Sequence, residues 1–439
     1  MSTDSPQERW RSLTLGHAED INAYVAKGLA EGWDRAGKEP VAASYEDLLP
    51  AFLTALRAAN GQLQRKDIKA EWPPAYGPLH PLLESNGQNI STLYLLPDGS
   101  LLARIGAPYE AGRIVHIRGD VVTHVEGVQH IGRCPRRRYF AVGREQGVEV
   151  TDGWLGERVA LCPWPLGTEG VPEGFAVTQL EKPPVPTQLL PFPDGTRVLL
   201  VSSDGIFVLR DDGAVRLLPT QKEMREHFSW LMEECPEDDL AVGLSMEHGA
   251  ISADGSLIAV GAQDGRHRVF NAALQCIAEI GPHGEYPHYA AFSADQQVLA
   301  LNACHFYNGT TIGIDIEKIP GLDSDFYDEV EGLKILEKGA RVYAAVARNN
   351  EFIFGDAYGY LRATDLAGNC RWQHYIGSTV GAMDLSDDGK TLVASTCAGF
   401  ISIIDLDAGR QQPYQIGNGG HFERRRWVFW KGESSPLAW

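Results

Sequence analysis

Residues 383–406 have the sequence MDLSDDGKTLVASTCAGFISIIDL. Val393, Phe400 and Ile403 are β-branched or aromatic, and such residues suit a pleated, half-buried surface. Between two apolar runs, Asp388-Gly389 supplies the positive φ that a tight turn requires. The stretch therefore predicts three strands, joined first by an Asp-Gly turn and then by a turn of small residues.

The same turn, followed by a strand, recurs along the chain. Its anchor positions are Gly99, Arg137, Gly195, Gly255, Gln296, Asn350 and Gly389. The anchors are about 40 to 60 residues apart, and a four-stranded propeller blade needs roughly 40 to 50 residues. The pattern predicts an all-β fold, a seven-bladed β-propeller over residues 86–439, with insertions in the longer blades. Six or eight blades stay open as alternatives, because the second copy lacks an Asp-Gly turn.

Two of the copies carry a resemblance to a known family. Residues 252–271 and 386–407 resemble the middle strands of WD40-like or quinoprotein-like propeller repeats, and the resemblance covers about three quarters of the chain. No Trp-Asp dipeptide closes a blade; Thr364-Asp365 and Ile404-Asp405 stand near that place. Two β-sandwiches in tandem would not predict one turn chemistry repeated seven times.

Residues 1–85 differ from the rest and predict a helical extension with a Pro-rich connector. Apolar residues at spacings of three and four indicate two helices between residues 16 and 60, which form a hairpin. Ser44 and Asp47 have the spacing of a capping box at the start of the second helix. The connector is marked by Pro73, Pro74, Pro78 and Pro81.

Charge, cysteine content and hydrophobicity indicate which classes of protein the chain fits. The formal net charge is −19 over 439 residues, so phosphate repulsion opposes general nucleic-acid binding, whereas a basic protein partner is compatible. The seven cysteines are scattered without a C-x-x-C pair, which indicates neither a disulfide framework nor a zinc cluster. A polar start and the lack of a long apolar run predict a cytoplasmic protein without a signal peptide or membrane span.

Two insertions, at residues 220–240 and 320–335, are the candidate partner-binding segments. The first is helix-like and ends in a run of acids, and the second is an acidic loop with two aromatic residues. Aromatic side chains beside carboxylates are suitable anchors for a basic partner. The predicted partner-binding residues are Trp230, Glu233, Glu234, Glu237, Asp238, Asp239, Asp323, Asp325, Phe326, Tyr327, Asp328 and Glu329.

Two groups of residues are candidate metal ligands. Asp323-x-Asp325-x-x-Asp328 offers oxygen ligands but lacks the Gly and the bidentate Glu of an EF-hand loop, so a solvated or protein-binding loop is favoured. A histidine group near the fifth copy contains His283, His288 and His305. No carboxylate or further ligand lies at a helpful spacing, which favours ordinary loop histidines. We therefore predict no metal, no cofactor and no catalytic residue.

The basic residues are few but grouped. The triplets at residues 136–138 and 424–426 could hold an anion, although solvated turns or pairing with the protein's own acidic loops are the favoured interpretation. The second triplet precedes an aromatic run, residues 427–430. We expect this run to be a last strand that completes the first or last blade and closes the ring.

Two functions from different classes follow from these patterns. The first is a non-catalytic protein–protein interaction scaffold, with a bacterial conflict-system subunit or an acidic immunity protein as its sharper form by analogy of fold. The alternative is a metal-dependent, lactonase-like hydrolase acting at the central funnel. Small residues at the starts of blades weigh against the hydrolase; they are Ala291, Ala345 and Ala382.

Overall fold

The computed structural model describes residues 4–62, 65–237 and 239–439. Within these residues the strands form seven sheets in chain order, each with four antiparallel strands at its centre. The first contains β1 (Thr92–Leu95), β2 (Leu101–Ile105), β3 (Arg113–Arg118) and β4 (Val121–His124). The second contains β5 (His130–Arg133), β6 (Tyr139–Arg144), β7 (Gly147–Asp152) and β8 (Glu157–Cys162). The third contains β9 (Pro186–Pro191), β10 (Val198–Ser202), β11 (Gly205–Arg210) and β12 (Gly213–Leu218).

The remaining sheets carry the additions. The fourth contains β13 (His248–Ile251), β14 (Leu257–Gly261), β15 (His267–Asn271) and β16 (Cys276–Ile280). The fifth contains β17 (Tyr286–Phe292), β18 (Val298–His305), β19 (Asn308–Asp315) and β21 (Leu333–Lys338), while β20 (Asp323–Ser324) adds to the edge of the fourth. The sixth contains β22 (Val342–Arg348), β23 (Glu351–Asp356), β24 (Tyr360–Asp365) and β25 (Cys370–Tyr375). The seventh contains β26 (Val380–Leu385), β27 (Thr391–Thr396), β28 (Phe400–Asp405), β29 (Phe422–Val428) and β30 (Leu437–Ala438).

The sheets form a closed ring, because the first strand of each packs beside the first strand of the next and β26 packs beside β1. The predicted seven-bladed β-propeller is therefore confirmed. The second copy is a true blade although it lacks glycine, since Arg137 takes the turn position at φ +65° that Gly99 takes at +80°. At both positions the backbone N–H donates to the carbonyl three residues earlier. Gln296 does the same at φ +60° in the fifth blade.

The helices lie before the ring and in one of its connections. They are α1 (Pro6–Glu31), α2 (Trp33–Ala36), α3 (Leu49–Asn60), α4 (His80–Asn86) and α5 (Gln221–Glu234), with short 3₁₀ turns at Glu46–Leu48, Gly77–Leu79 and Ile316–Lys318. The predicted helix near residue 16 begins ten residues earlier, because Ser5 and Glu8 form a capping box before it. The capping box predicted at Ser44 is wrong, since the 3₁₀ turn precedes α3 and no side chain caps that helix. No helix within the described residues is long and apolar enough to cross a bilayer.

The N-terminal helices share a core with the seventh sheet. Trp10 of α1 is fully buried and stacks on Phe52 of α3, with ring centroids 4.8 Å apart. Phe52 in turn contacts Trp439, whose indole N–H donates to the carbonyl oxygen of Trp72 at 2.8 Å. The predicted hairpin is thus a pair of helices held by aromatic stacking, and it covers the outer side of the last blade.

The C-terminal strands complete the last blade, which is one of the two blades predicted for them. The first of these strands, β29, begins at Phe422 rather than Trp427, because it pairs with β28 along the whole length of that strand. The first sheet is built only of consecutive strands, so no terminal strand is exchanged between the first and last blades. Other contacts must therefore join β26 to β1.

The first and seventh blades share an apolar core, and one buried carboxylate adds polar contacts at that junction. Asp384 on β26 is 7% exposed and accepts the backbone N–H of Leu95 on β1 at 2.6 Å. Both of its oxygens lie 2.7 Å from the Arg133 guanidinium of the second blade, which also donates to the Leu95 carbonyl at 3.0 Å. Beside it, the Ser395 hydroxyl of the seventh sheet donates to the carbonyl of Ile90, just before β1. The seventh, first and second blades are thus linked through hydrogen bonds to charged groups, which are stronger than neutral ones.

Asp384→Ala is expected to lower the free energy of unfolding by about 3 to 5 kcal/mol, because it leaves the buried Arg133 guanidinium without its counterion. The neighbouring Asp387 is exposed and pairs with Arg137, so Asp387→Ala is a matched control with an expected loss below about 1 kcal/mol. Urea denaturation followed by tryptophan fluorescence measures both. Equal losses in the two variants would show that ring closure does not depend on the buried pair.

Candidate functional site

The ring has two faces with different connections. The turns between the first and second strands of each sheet, including the anchor turns, lie on one face, which we call the turn face. The links from each sheet to the next, and the turns between second and third strands, lie on the opposite face, which we call the crossover face. Both insertions reach the crossover face, next to the fourth sheet.

The helix α5 forms the first insertion. Thr220 and Glu223 form a capping box, and the buried side chains of Met224 and Phe228 hold the helix against the ring. Arg268 on β15 donates to the Glu223 carboxylate at 2.7 Å. The other side of the helix and the residues after it point acidic and aromatic side chains outward; the exposed predicted residues are Trp230, Glu233, Glu234, Glu237 and Asp239. Asp238 lies outside the described residues.

The second insertion is tied to the same hairpin of the fourth sheet. Its strand β20 runs parallel to β16 and carries the following residues to the crossover face. There Arg266, between β14 and β15, donates to Asp323 at 2.6 Å and to Asp325 at 2.5 Å. Arg266 and Arg268 thus each hold one insertion, and the two predicted segments flank one hairpin.

The acidic side chains of this loop bind groups of the protein itself. Asp323 and Asp325 bind the Arg266 guanidinium, and the Asp328 carboxylate accepts the backbone N–H of Asp325 at 2.6 Å. Within the described part of the chain, no group of three His, Cys, Asp or Glu side chains is arranged to hold a metal ion. The loop therefore presents its aromatic tip and Glu329, rather than a cation cradle.

The tip of the loop is held in a strained conformation. Tyr327 has φ +63°, in the left-handed region that bulky residues avoid, and its side chain is 63% exposed. Its ring lies 4.2 Å from Phe326 and 5.5 Å from the imidazole of His283, measured between centroids. Strain of this kind persists only where the surroundings impose it, and it concentrates at functional positions.

Three further aromatic residues on this face were missed in the sequence. Phe306 and Tyr307 form the tip between β18 and β19, and Tyr358 lies between β23 and β24. Phe306 is 73% exposed with φ +49°, and the rings of Tyr307 and Tyr358 lie 5.7 Å apart. The sequence did contain a signal for these residues, because an aromatic side chain at a turn between two strands cannot enter the core. We define the docking face as Trp230, Glu233, Glu234, Glu237, Asp239, Phe306, Tyr307, Phe326, Tyr327, Asp328, Glu329 and Tyr358.

Buried histidines lie beneath the docking face. His248 Nδ1 is 3.0 Å from the Met246 carbonyl oxygen, which can only accept, so this nitrogen carries the proton. Its Nε2 then accepts from His267 Nδ1 at 3.2 Å. His288 likewise donates from Nδ1 to the Val342 carbonyl, and its Nε2 accepts from the Arg341 guanidinium at 3.1 Å. Each ring is therefore hydrogen-bonded in its neutral form.

Burial and these neighbours keep the histidines neutral. Desolvation lowers the pKa of His248 to about 4 and holds the pKa of His267 well below its usual value, where the charge of His248 would add repulsion. Burial, with the nearby Arg341 charge, lowers the pKa of His288 to about 3. The predicted group is not one site, because His305 turns outward to Glu285 and His283 packs on Tyr327.

The basic triplets bind groups of the protein itself. Arg137 donates to Asp384 and Asp387, while Arg136 reaches the Ala253 carbonyl oxygen of the fourth blade at 2.6 Å. Arg138 pairs with Asp152 on the neighbouring strand. In the second triplet, Arg424, Arg425 and Arg426 pair with Asp405, Asp120 and Glu423. The partners are acids of turns and strands rather than of the two acidic insertions.

Comparison with known proteins finds matches among solved structures. No protein-family model and no curated protein matches the chain. Among solved structures, 1415 chains match. The computationally designed Ika8 protein is 15% identical over 73% of this chain and 97% of its own, with a TM-score of 0.43. A chain of a Mitotic Checkpoint Complex is 11% identical over 70% of this chain and 84% of its own, with a TM-score of 0.45. Similarity at this level carries no argument about function.

Acidification from pH 6.5 towards pH 4 is expected to destabilise the protein. Well above pH 6.5 the buried histidines are neutral in both the folded and unfolded states. Below it, the unfolded chain binds protons that the folded chain excludes, so each histidine lowers the free energy of unfolding by up to about 1.4 kcal/mol per pH unit. Urea denaturation at pH 7, 6 and 5 measures the slope. His248→Gln is expected to reduce it by nearly one proton, and an unchanged slope in this variant contradicts the assignment.

Proposed function

We propose that the protein is a non-catalytic interaction scaffold that docks another protein on the docking face. The seven-bladed β-propeller is the part that the structure establishes, and this fold commonly mediates protein–protein interaction. The proposal adds a place and a chemistry to that general role. The rigid ring holds the exposed side chains at fixed positions, which reduces the entropy lost on binding.

The observation that carries the proposal is the combination of exposed aromatic residues with acids that the ring leaves uncompensated. Aromatic residues are enriched among the side chains that dominate binding energy, and here six of them lie on one face. Within the described residues, Glu233, Glu234 and Glu329 form no ion pair, whereas Asp323 and Asp325 share Arg266. The available negative charge is thus concentrated beside the exposed rings.

A basic protein is the partner that this chemistry fits. Carboxylates at the rim of a surface attract a positively charged partner and raise its association rate, and salt screens that attraction. The chain's net charge of −19 acts in the same direction at longer range. The aromatic rings would then supply the contact area once the partner is in place.

The proposal extends to a more specific biological role. A conflict-system subunit or an acidic immunity protein would neutralise or assemble with a basic protein through such a face. The kinship of the repeats to WD40-like or quinoprotein-like propellers belongs to the proposal in the same way. Support for it comes from the Asp-Gly turn chemistry shared by the repeats.

The hydrolase alternative finds no such support in the described residues. Its metal would need several side chains from different blades with free lone pairs at one point. The buried histidines that do meet are hydrogen-bonded to Met246, to one another and to Arg341, which leaves only Nε2 of His267 without a partner among these described rings. The innermost strands also contribute alanines to the funnel; they include Ala250, Ala290, Ala291, Ala345 and Ala347.

Reversing three charges on the docking face is expected to weaken partner binding by about 10- to 100-fold at low salt, since each rim charge contributes up to about 1 kcal/mol. The variant is Glu233→Lys, Glu234→Lys and Glu329→Lys. The partner is first captured from host lysate with the tagged protein and identified, and its dissociation constant is then measured by biolayer interferometry at 50 and 500 mM NaCl.

The matched control reverses three exposed acids at the turns between the third and fourth strands of the second and third sheets, which also lie on the turn face. The substitutions are Glu157→Lys, Asp211→Lys and Asp212→Lys. This control changes the net charge by the same amount and is expected to alter binding less than threefold. Tyr327→Ser tests the aromatic contact and should weaken binding at both salt concentrations. If the control weakens binding as much as the docking-face variant, only the overall charge matters and the proposed face is wrong.

A further inference from the structure

A cavity of about 260 Å³ lies between the N-terminal helices and the outer strands of the sixth and seventh sheets. It shares no residue with the docking face, and no step of the scaffold proposal depends on it. Its walls come from α1, the Pro-rich connector, β25, β29 and the loop before β29. The residues that line the cavity include Ala18, Tyr76, His374, Tyr375, Tyr414, Gln415, Glu423 and Arg426.

One wall contains a buried ion pair. Glu423 and Arg426 are each 2% exposed, and the guanidinium binds the carboxylate through Nε at 2.7 Å and Nη2 at 3.0 Å. The Ser402 hydroxyl donates to the same carboxylate at 2.7 Å. Arg426 also donates to the Tyr76 hydroxyl, which leaves the tyrosine proton available to a further acceptor. Because the two charges compensate each other, this wall offers no free counterion to a charged ligand.

Other polar groups of the wall have no hydrogen-bond partner in the described chain. They are Nδ1 of His374, which is 4% exposed, Oε1 of Gln415, which is 6% exposed, and the Tyr414 hydroxyl. The Gln415 amide nitrogen donates to the Gly419 carbonyl at 2.7 Å, so its oxygen is the end left without a donor. Buried polar atoms are almost always hydrogen-bonded in folded proteins, which indicates that something else completes this wall.

The size and the remaining walls restrict the occupant further. An apolar cavity of about 150 Å³ admits one benzene ring, so the present volume fits a fused pair of rings. Tyrosine rings form much of the surface, with Tyr76 and Tyr375 edge to face at 5.1 Å between centroids. Flat aromatic ligands pack favourably against such rings. Burial lowers the pKa of His374 to about 4, so its imidazole is a neutral hydrogen-bonding group at pH 7.

We propose that this cavity is a binding site for an uncharged, planar heteroaromatic molecule of nucleobase size that carries at least one N–H donor. The donor satisfies Gln415, and ring nitrogens or carbonyl oxygens of the ligand satisfy the Tyr414 and His374 groups. The ligand also bridges α1 and the seventh blade, so its binding stabilises the attachment of the helices to the ring.

Isothermal titration calorimetry of the full chain with adenine, hypoxanthine, cytosine and nicotinamide tests the site. At least one probe is expected to bind with a dissociation constant below about 1 mM. Benzoate, a charged molecule of similar shape, is expected not to bind. Tyr414→Phe removes only the unpartnered hydroxyl and is expected to weaken binding by about 5- to 10-fold without lowering the melting temperature of the free protein.

A second variant tests the same site if Tyr414→Phe is less stable than expected. Ala18→Leu fills the cavity from α1 and is expected to abolish binding, whereas Ala30→Leu, at an exposed position of the same helix, leaves it unchanged. The proposal is overturned if none of the four probes binds below about 1 mM, or if binding survives Ala18→Leu with its affinity intact. Either result would assign the cavity to ordered water.

Discussion

The carboxylate of Asp384 is the polar contact that joins the last blade of the ring to the first and the second. Each sheet has two apolar sides that only its neighbours cover, so a gap between the last and first blades would expose two of them. Many rings could close by sharing a strand across that gap, but here both blades are built from consecutive strands. Asp384 instead accepts hydrogen bonds from Leu95 of the first blade and Arg133 of the second. The buried ion pair is favourable because every oxygen of the carboxylate has a donor, which a half-satisfied pair would lack.

The N-terminal helices complete the same region from outside. Stacking of Trp10 on Phe52, and the tilted contact of Phe52 with Trp439, join the start of the chain to its last strands. This arrangement covers the edge of the seventh sheet, which would otherwise present unpaired backbone groups to solvent. It also creates the cavity around Glu423 and Arg426. The two ends of the chain therefore stabilise the junction and form the proposed ligand site, while the insertions of the third and fifth blades form the docking face on another part of the ring.

Much of the fold was predictable because one local constraint recurs. A tight turn needs a residue at positive φ, and glycine, asparagine or aspartate near that position marks it in the sequence. The second blade shows the limit of the rule, since Arg137 adopts the same φ without a recognisable signal. The start of α1 was missed because its first turns are mostly polar, and the box expected at Ser44 failed because a 3₁₀ turn begins at Glu46. Local spacing does not decide between such alternatives.

By itself the sequence determined the fold class, favoured seven repeats over six or eight, and marked the two segments that interrupt them, because these follow from local backbone preferences repeated along the chain. Only the tertiary structure decided which side chains meet. Arg266 neutralises Asp323 and Asp325 from a hairpin of another blade, and the exposed rings of Phe306 and Tyr358 come from two further turns. The charge and apolar area available to a partner are sums over residues distant in sequence. Their arrangement is set by the packing of blades around the ring, and no local pattern encodes it.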